Sequence, residues 1–130
     1  ATAFQRGLGA MHALAHPLGA LYDAHHGLLN AILMPYVLKA NEQAVAPRLE
    51  ALARYLGLPQ QGPAAVLDWV LALREQVGIP HTLAEIGLDD AQAERVGRLA
   101  SQDPSAGTNP VNFSAEKYSQ LFRAAIRGNL

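Results

Sequence analysis

Apolar residues recur at helical spacing along almost the whole chain, and glycines and prolines separate the periodic stretches. The pattern predicts an all-α fold, a helical bundle. The predicted helices cover residues 2–19, with a bend at Pro17, then about 26–38, 47–56 and 63–77, a helix that begins at Asp89, and a last helix that begins at Ser114. A polar connection over residues 102–110 precedes the last helix.

The two parts of the chain differ in how their apolar residues are arranged. The predicted helix from His26 is apolar on nearly every side, which is typical of a helix in the middle of a fold. The later helices each carry one apolar stripe, and Asp89-x-x-Gln92 resembles a capping box at the start of one of them. We therefore expect one domain over residues 1–130, with central helices in residues 1–42 and peripheral amphipathic helices in residues 43–130.

Composition supports helices and narrows the classes of partner. Ala and Leu fill 44 positions against 14 for Val, Ile and Thr together, a balance that favours helices over strands. With 50% hydrophobic and 16% charged residues, a disordered chain is excluded. The net charge of −1, without a basic run, predicts neither nucleic acid nor a membrane as a partner. The absence of cysteine excludes thiolate chemistry and agrees with a cytoplasmic location.

Four of the five histidines lie in the first forty residues. His12 and His16 are four residues apart, so a helix places both rings on one face with β-carbons about 6 Å apart. His26 lies fourteen residues beyond His12, which on an unbroken helix would separate them by about 21 Å. The two residues can bind one metal ion only if the chain reverses between them, and the break over residues 19–25 allows that reversal.

The spacing permits a metal site but does not demand one, since a histidine on an apolar helix face is more often a hydrogen-bonded core residue than a metal ligand. Asp23 is the only acid in the first forty residues, and we expect it to cap a helix or to contact a histidine rather than to bind metal. His25 is expected to face solvent or an interface, and His81, in a predicted turn, is given no role. At the start of its helix, His26 lies near the positive end of the helix dipole, which favours a neutral ring.

The stretches GLGAMHALAHPLGA, from Gly7, and YDAHHGLLNAILMP, from Tyr22, closely resemble the signature of the iron-dependent (group III) alcohol dehydrogenases. Both histidine spacings of that signature and its glycines are present in these two stretches. The resemblance continues more weakly through Gly78-Ile79-Pro80 and Asn109-Pro110 to the last predicted helix, so it covers essentially the whole chain.

In that family, an N-terminal domain binds the nicotinamide cofactor, and a helical C-terminal domain of the dehydroquinate-synthase-like type holds one divalent ion through an Asp and three His. The resemblance implies that His12 and His26 are the last two of these ligands, with Fe²⁺ as the expected ion and Zn²⁺ as the alternative. It implies that His16 is a catalytic residue near the nicotinamide and the substrate. The first two ligands and the cofactor-binding α/β domain lie upstream of the matched stretch, so no NAD(P)-binding residue is assigned here.

The resemblance implies an NAD(P)-dependent alcohol dehydrogenase that interconverts an alcohol with an aldehyde or ketone by metal-assisted hydride transfer. Because the chain begins without Met, inside an Ala-rich helix, we expect it to be part of a longer enzyme and to be inactive alone. The expected partners are a small alcohol or aldehyde, the nucleotide-binding domain, and further copies in a homo-oligomer. Two alternatives remain open: a non-redox metal-dependent synthase or lyase of the same superfamily, and a free-standing helical interaction module.

Overall fold

A computed structural model describes residues 9–59 and 62–130, and every regular element in these two ranges is a helix. The elements are α1 (Gly9–Tyr22), α2 (His26–Asn41), α3 (Ala46–Tyr55), α4 (Pro63–Val77), a first 3₁₀ helix (Ala84–Ile86), α5 (Ala93–Gln102), a second 3₁₀ helix (Pro104–Thr108) and α6 (Ala115–Arg127). The predicted all-α bundle is confirmed. None of the described helices combines the length and the apolar character needed to cross a membrane.

Helix α1 lies at the centre of the packing, against α2, α5 and the second 3₁₀ helix, while α5 pairs with α6 and α3 pairs with α4. The pair α5–α6 approaches closely because Gly97 has no side chain: a Cβ there would lie 3.0 Å from the amide nitrogen of Ser119. The Ser119 hydroxyl donates to the Ala93 carbonyl at 2.8 Å and so satisfies a polar group inside this interface. The largest fully buried side chains come from most of the helices: Tyr118, Phe122, Leu14, Leu18, Leu29, Ile32, Leu33, Leu38, Leu49, Leu83, Val37 and Val66.

The predicted helix starts at His26 and Ser114 agree with the structure, and α4 has the predicted bounds. The predicted end of the first helix at Gly19 is wrong, because α1 continues to Tyr22. The chain leaves the helix at Asp23, whose φ of 52° is left-handed, whereas Gly19 does not adopt a positive φ. The predicted first residues of this helix, 2–8, lie outside the described residues.

The predicted helix start at Asp89 is also wrong, because α5 begins at Ala93. The Asp89 carboxylate accepts the backbone N–H of Ala91 at 3.0 Å, so it closes a local turn instead of capping a helix. Such short-range side-chain bonds compete with helix formation, and they can give the same sequence pattern as a capping box. In the predicted polar connection, over residues 102–110, the structure has the second 3₁₀ helix.

Candidate functional site

The chain reverses between α1 and α2 and brings three histidine rings together. The ring centroids of His12 and His26 lie 6.0 Å apart, those of His16 and His26 lie 5.5 Å apart, and those of His12 and His16 lie 6.4 Å apart. At this reversal His25 caps α2, its Nδ1 accepting the backbone N–H of Leu28 at 3.3 Å. The break over residues 19–25 was expected to allow this reversal, and the reversal forms one cluster, the histidine cluster, from His12, His16 and His26.

The three rings of the histidine cluster have different surroundings. His12 is partly buried, and burial lowers its pKa; the nearby rings of His26 and then His16 lower it further. His16 and His26 are exposed, and Nε2 of His26 lies 3.1 Å from the Asn30 side-chain nitrogen. The cluster therefore opens to the surface on the side of His16 and His26.

A carboxylate from a distant part of the chain reaches the histidine cluster. Oδ2 of Asp103 lies 2.8 Å from Nδ1 of His16, across 87 positions of sequence. Burial by itself raises the pKa of Asp103, but the hydrogen bond from the Ser105 backbone N–H, followed by the bond to His16, outweighs burial and leaves that pKa below its ordinary value. Asp103 was not predicted from the sequence, because its position just after α5 carries no pattern that points to a histidine.

The other residues considered in the sequence analysis, Asp23, His25 and His81, lie outside the histidine cluster. Asp23 is exposed and directly follows α1 in a left-handed conformation; within the described residues its side chain does not bond a histidine, and α2 is capped by His25 instead. His25 is exposed, as expected, and is itself the cap. His81 does have partners: its Nε2 lies 3.0 Å from the Glu75 carboxylate, and its carbonyl accepts the Tyr36 hydroxyl at 2.6 Å.

The donor set of the histidine cluster fits part of a metal site. Imidazole nitrogens are common ligands of divalent metal ions, and the ring centroids lie 6.0 Å apart for His12 and His26 and 5.5 Å apart for His16 and His26. Within the described residues, however, no three His, Asp or Glu side chains are arranged to hold a metal ion. The cluster can thus supply imidazole ligands to an ion whose remaining ligands come from elsewhere.

Comparisons with known proteins place the chain among the iron-type alcohol dehydrogenases. Residues 2–126 match the family described as "Fe-containing alcohol dehydrogenase family, C-terminal". The chain is 34% identical over 125 residues to the lactaldehyde reductase of Escherichia coli, covering 92% of this chain and 33% of that protein. It is 35% identical over 120 residues to alcohol dehydrogenase 4 of Saccharomyces cerevisiae, covering 91% of this chain and 31% of that protein.

Solved structures show the same fold. A 1,3-propanediol oxidoreductase superposes with a TM-score of 0.84 at 28% identity, covering 90% of this chain and 32% of that one. An alcohol dehydrogenase from Oenococcus oeni superposes with a TM-score of 0.80 at 33% identity, covering 88% of this chain and 32% of that one. The chain spans about one third of the length of these relatives. Because the family match takes in nearly all of its residues, the chain belongs to the Fe-containing alcohol dehydrogenase family, in which it corresponds to the C-terminal part.

Proposed function

We propose that this chain is the metal-binding part of an NAD(P)-dependent alcohol dehydrogenase, which interconverts an alcohol with an aldehyde or ketone by hydride transfer. The observation that carries the proposal is the convergence of His12, His16 and His26, from two helices, at one exposed position. Family membership supports the same chemistry, since the relatives named above are reductases and alcohol dehydrogenases. A synthase or lyase is not supported by any of these relatives.

In this proposal His12 and His26 hold a divalent cation, with Fe²⁺ expected and Zn²⁺ as the alternative. The chemistry that such an ion supplies is to bind the alcohol oxygen and lower the pKa of its hydroxyl, which favours loss of the proton. His12 projects from the first half of α1 and His26 from the first turn of α2, so both ligands are fixed by helical backbone. Two imidazoles leave the other coordination positions to groups outside this chain.

His16 is proposed to orient the substrate or to carry its proton rather than to bind the ion. Its ring is one helical turn from His12 on the same helix and its side chain is 48% exposed, so a small molecule can reach it. A histidine at hydrogen-bond distance from a reacting hydroxyl is a common general acid or base. The nicotinamide cofactor is proposed to bind mainly to a separate nucleotide-binding domain, so the 130-residue chain alone should be inactive.

The experiment that tests this assignment compares three variants in a protein that joins this chain to the nucleotide-binding domain. His12→Ala and His26→Ala should each deplete the metal and abolish turnover, because each removes one strong bond to the ion. His16→Ala should keep the metal and slow the reaction. Metal content by elemental analysis and kcat separate the two roles.

The matched control is His81→Ala, which removes an imidazole outside the histidine cluster and should leave metal content and kcat unchanged. Circular dichroism checks that each variant folds. The assignment of roles is wrong if His12→Ala retains full metal content, or if His16→Ala alone loses the metal.

A further inference from the structure

We infer that Asp103 is the positioning residue for His16: it fixes the ring so that Nδ1 carries the proton and Nε2 is the free nitrogen offered to a substrate. This inference rests on the proposed function in one respect: the group that Nε2 of His16 contacts is taken to be the substrate. An ionised carboxylate can only accept hydrogen bonds, so a 2.8 Å contact with Asp103 requires a proton on Nδ1. In a neutral imidazole, the second nitrogen is then an acceptor.

The carboxylate of Asp103 is itself held in place. Its Oδ1 accepts the backbone N–H of Ser105 at 2.8 Å and so caps the second 3₁₀ helix, while Oδ2 faces His16. The side chain is only 13% exposed. The two oxygens therefore have different, fixed partners, and the carboxylate cannot rotate away from His16 without losing the cap.

The second 3₁₀ helix is in turn fixed to α1, the helix that carries His16. Its end contacts the start of α1, where the backbone N–H of Ala10 donates to the Asn109 side chain at 3.2 Å. The approach needs a glycine at position 9, because a Cβ there would overlap Thr108 and Ser105 and lie 2.7 Å from the Asn109 backbone nitrogen. This attachment sets the position of Asp103 relative to α1, and hence relative to His16, two helical turns further on.

Stability does not explain the pair by itself. An ion pair or hydrogen bond with a half-exposed partner contributes little to stability, and the His16 side chain is 48% exposed. What the bond does change is the number of orientations open to an exposed ring on α1. A ring fixed at one nitrogen and open at the other is the arrangement that general acid-base chemistry needs.

The test is Asp103→Asn, read on the His16 ring by ¹⁵N NMR of histidine-labelled chain at a pH where the ring is neutral. An Asn side-chain oxygen can still accept the Ser105 N–H, which leaves its NH₂ group facing Nδ1 of His16. Because NH₂ can only donate, the proton must move to Nε2. We expect the Nδ1–H tautomer in the unaltered chain and a shift toward the Nε2–H tautomer in the variant.

The matched control is Asp89→Asn, since Asp89 also accepts a backbone N–H two residues ahead but has no histidine partner among the described residues. It should leave the His16 spectrum unchanged. The inference is overturned if Asp103→Asn keeps the Nδ1–H tautomer, or if Asp89→Asn shifts it equally. The same spectra can be recorded on the longer protein that contains this chain.

A kinetic measurement separates this inference from the proposed function. In the longer protein, Asp103→Asn should lower kcat by roughly 10- to 100-fold and leave the metal content unchanged. If His16→Ala slows turnover and Asp103→Asn does not, Asp103 has no positioning role. If neither variant alters kcat while the tautomer still shifts, the proposed role of His16 fails and the structural pairing stands.

Discussion

The side-chain amides of Asn41 and Asn109 exchange two hydrogen bonds, of 3.0 and 2.9 Å, across 68 positions of sequence. Both residues are buried. Asn109 also accepts the backbone N–H of Ala10 and donates to the Val111 carbonyl at 2.7 Å. One amide thus connects the start of α1, the end of α2 and the segment that follows the second 3₁₀ helix.

Asn109→Ala should destabilise the fold, because the side-chain oxygen of Asn41 loses its donor, the side-chain nitrogen of Asn41 keeps only the Val37 carbonyl, and the Ala10 N–H loses its acceptor. A buried donor or acceptor left unpaired costs about 1–3 kcal/mol. Urea denaturation followed by circular dichroism measures the change in the free energy of unfolding. Asn112→Ala is the matched control, since Asn112 is exposed, and it should stay within about 0.5 kcal/mol of the unaltered chain. Equal stabilities for the two variants would show that the amide pair contributes nothing.

Gly9→Ala should also destabilise the fold, by overpacking where α1 meets the second 3₁₀ helix. The added methyl group would meet backbone atoms of Ser105 and Asn109, which cannot move aside as a flexible side chain can. Overpacking of this kind typically costs about 1–3 kcal/mol. Gly107→Ala is the control, since a methyl group added there would meet no atom within 4 Å, and thermal denaturation should show no loss of stability for it. A stable Gly9→Ala variant would contradict the close approach.

Glu85 should make stability depend on pH. Its carboxylate accepts the backbone N–H groups of Thr82, at 2.9 Å, and His81, at 2.8 Å, and these bonds hold its pKa below the ordinary value of 4.5. Because the folded-state pKa is lower than the unfolded one, the stabilisation is complete above the unfolded pKa and is lost as the pH falls through the folded pKa.

Glu85→Gln removes the titrating group, so the two chains should differ in denaturation midpoint near neutral pH and converge in acid, below pH 4.5. Urea midpoints measured across this range give the comparison. Glu50→Gln, in the middle of α3, is the control for removing a carboxylate that has no hydrogen bond or ion pair among the described residues. A Glu85→Gln difference that is constant with pH would rule out the proposed linkage.

The 130-residue chain alone should bind Zn²⁺ weakly. With two imidazoles assigned as ligands, water fills the remaining coordination positions. We therefore expect a dissociation constant above about 1 µM, which corresponds to a binding free energy weaker than about −8 kcal/mol. Isothermal titration calorimetry measures it. The heat should fall in a His12→Ala, His26→Ala double variant and persist in His81→Ala. Tight stoichiometric binding by the chain alone would mean that it holds a complete ligand set.

The sequence by itself determined the helical fold, because the signals for it are local. Apolar spacing and the residues at helix ends act within a few positions, so the start of α2 at His26, the bounds of α4 and the cap at Ser114 could be predicted. The local signals failed where two local structures share one pattern. At Asp89 a turn and a capping box look alike, and at Gly19 a glycine that could end a helix lies inside one.

The candidate site also has one part that local sequence features could indicate and one part that they could not. The spacing of His12 and His16, and a break before His26, are local features, and they allowed the three rings to meet without deciding that they do. The contact between His16 and Asp103 was decided only by the tertiary structure, since the packing of the second 3₁₀ helix on α1 brings together residues 87 positions apart. That packing depends on the absence of a side chain at Gly9 and on the buried side-chain amide of Asn109. Neither a glycine nor an asparagine contributes to the apolar periodicity from which helices were predicted.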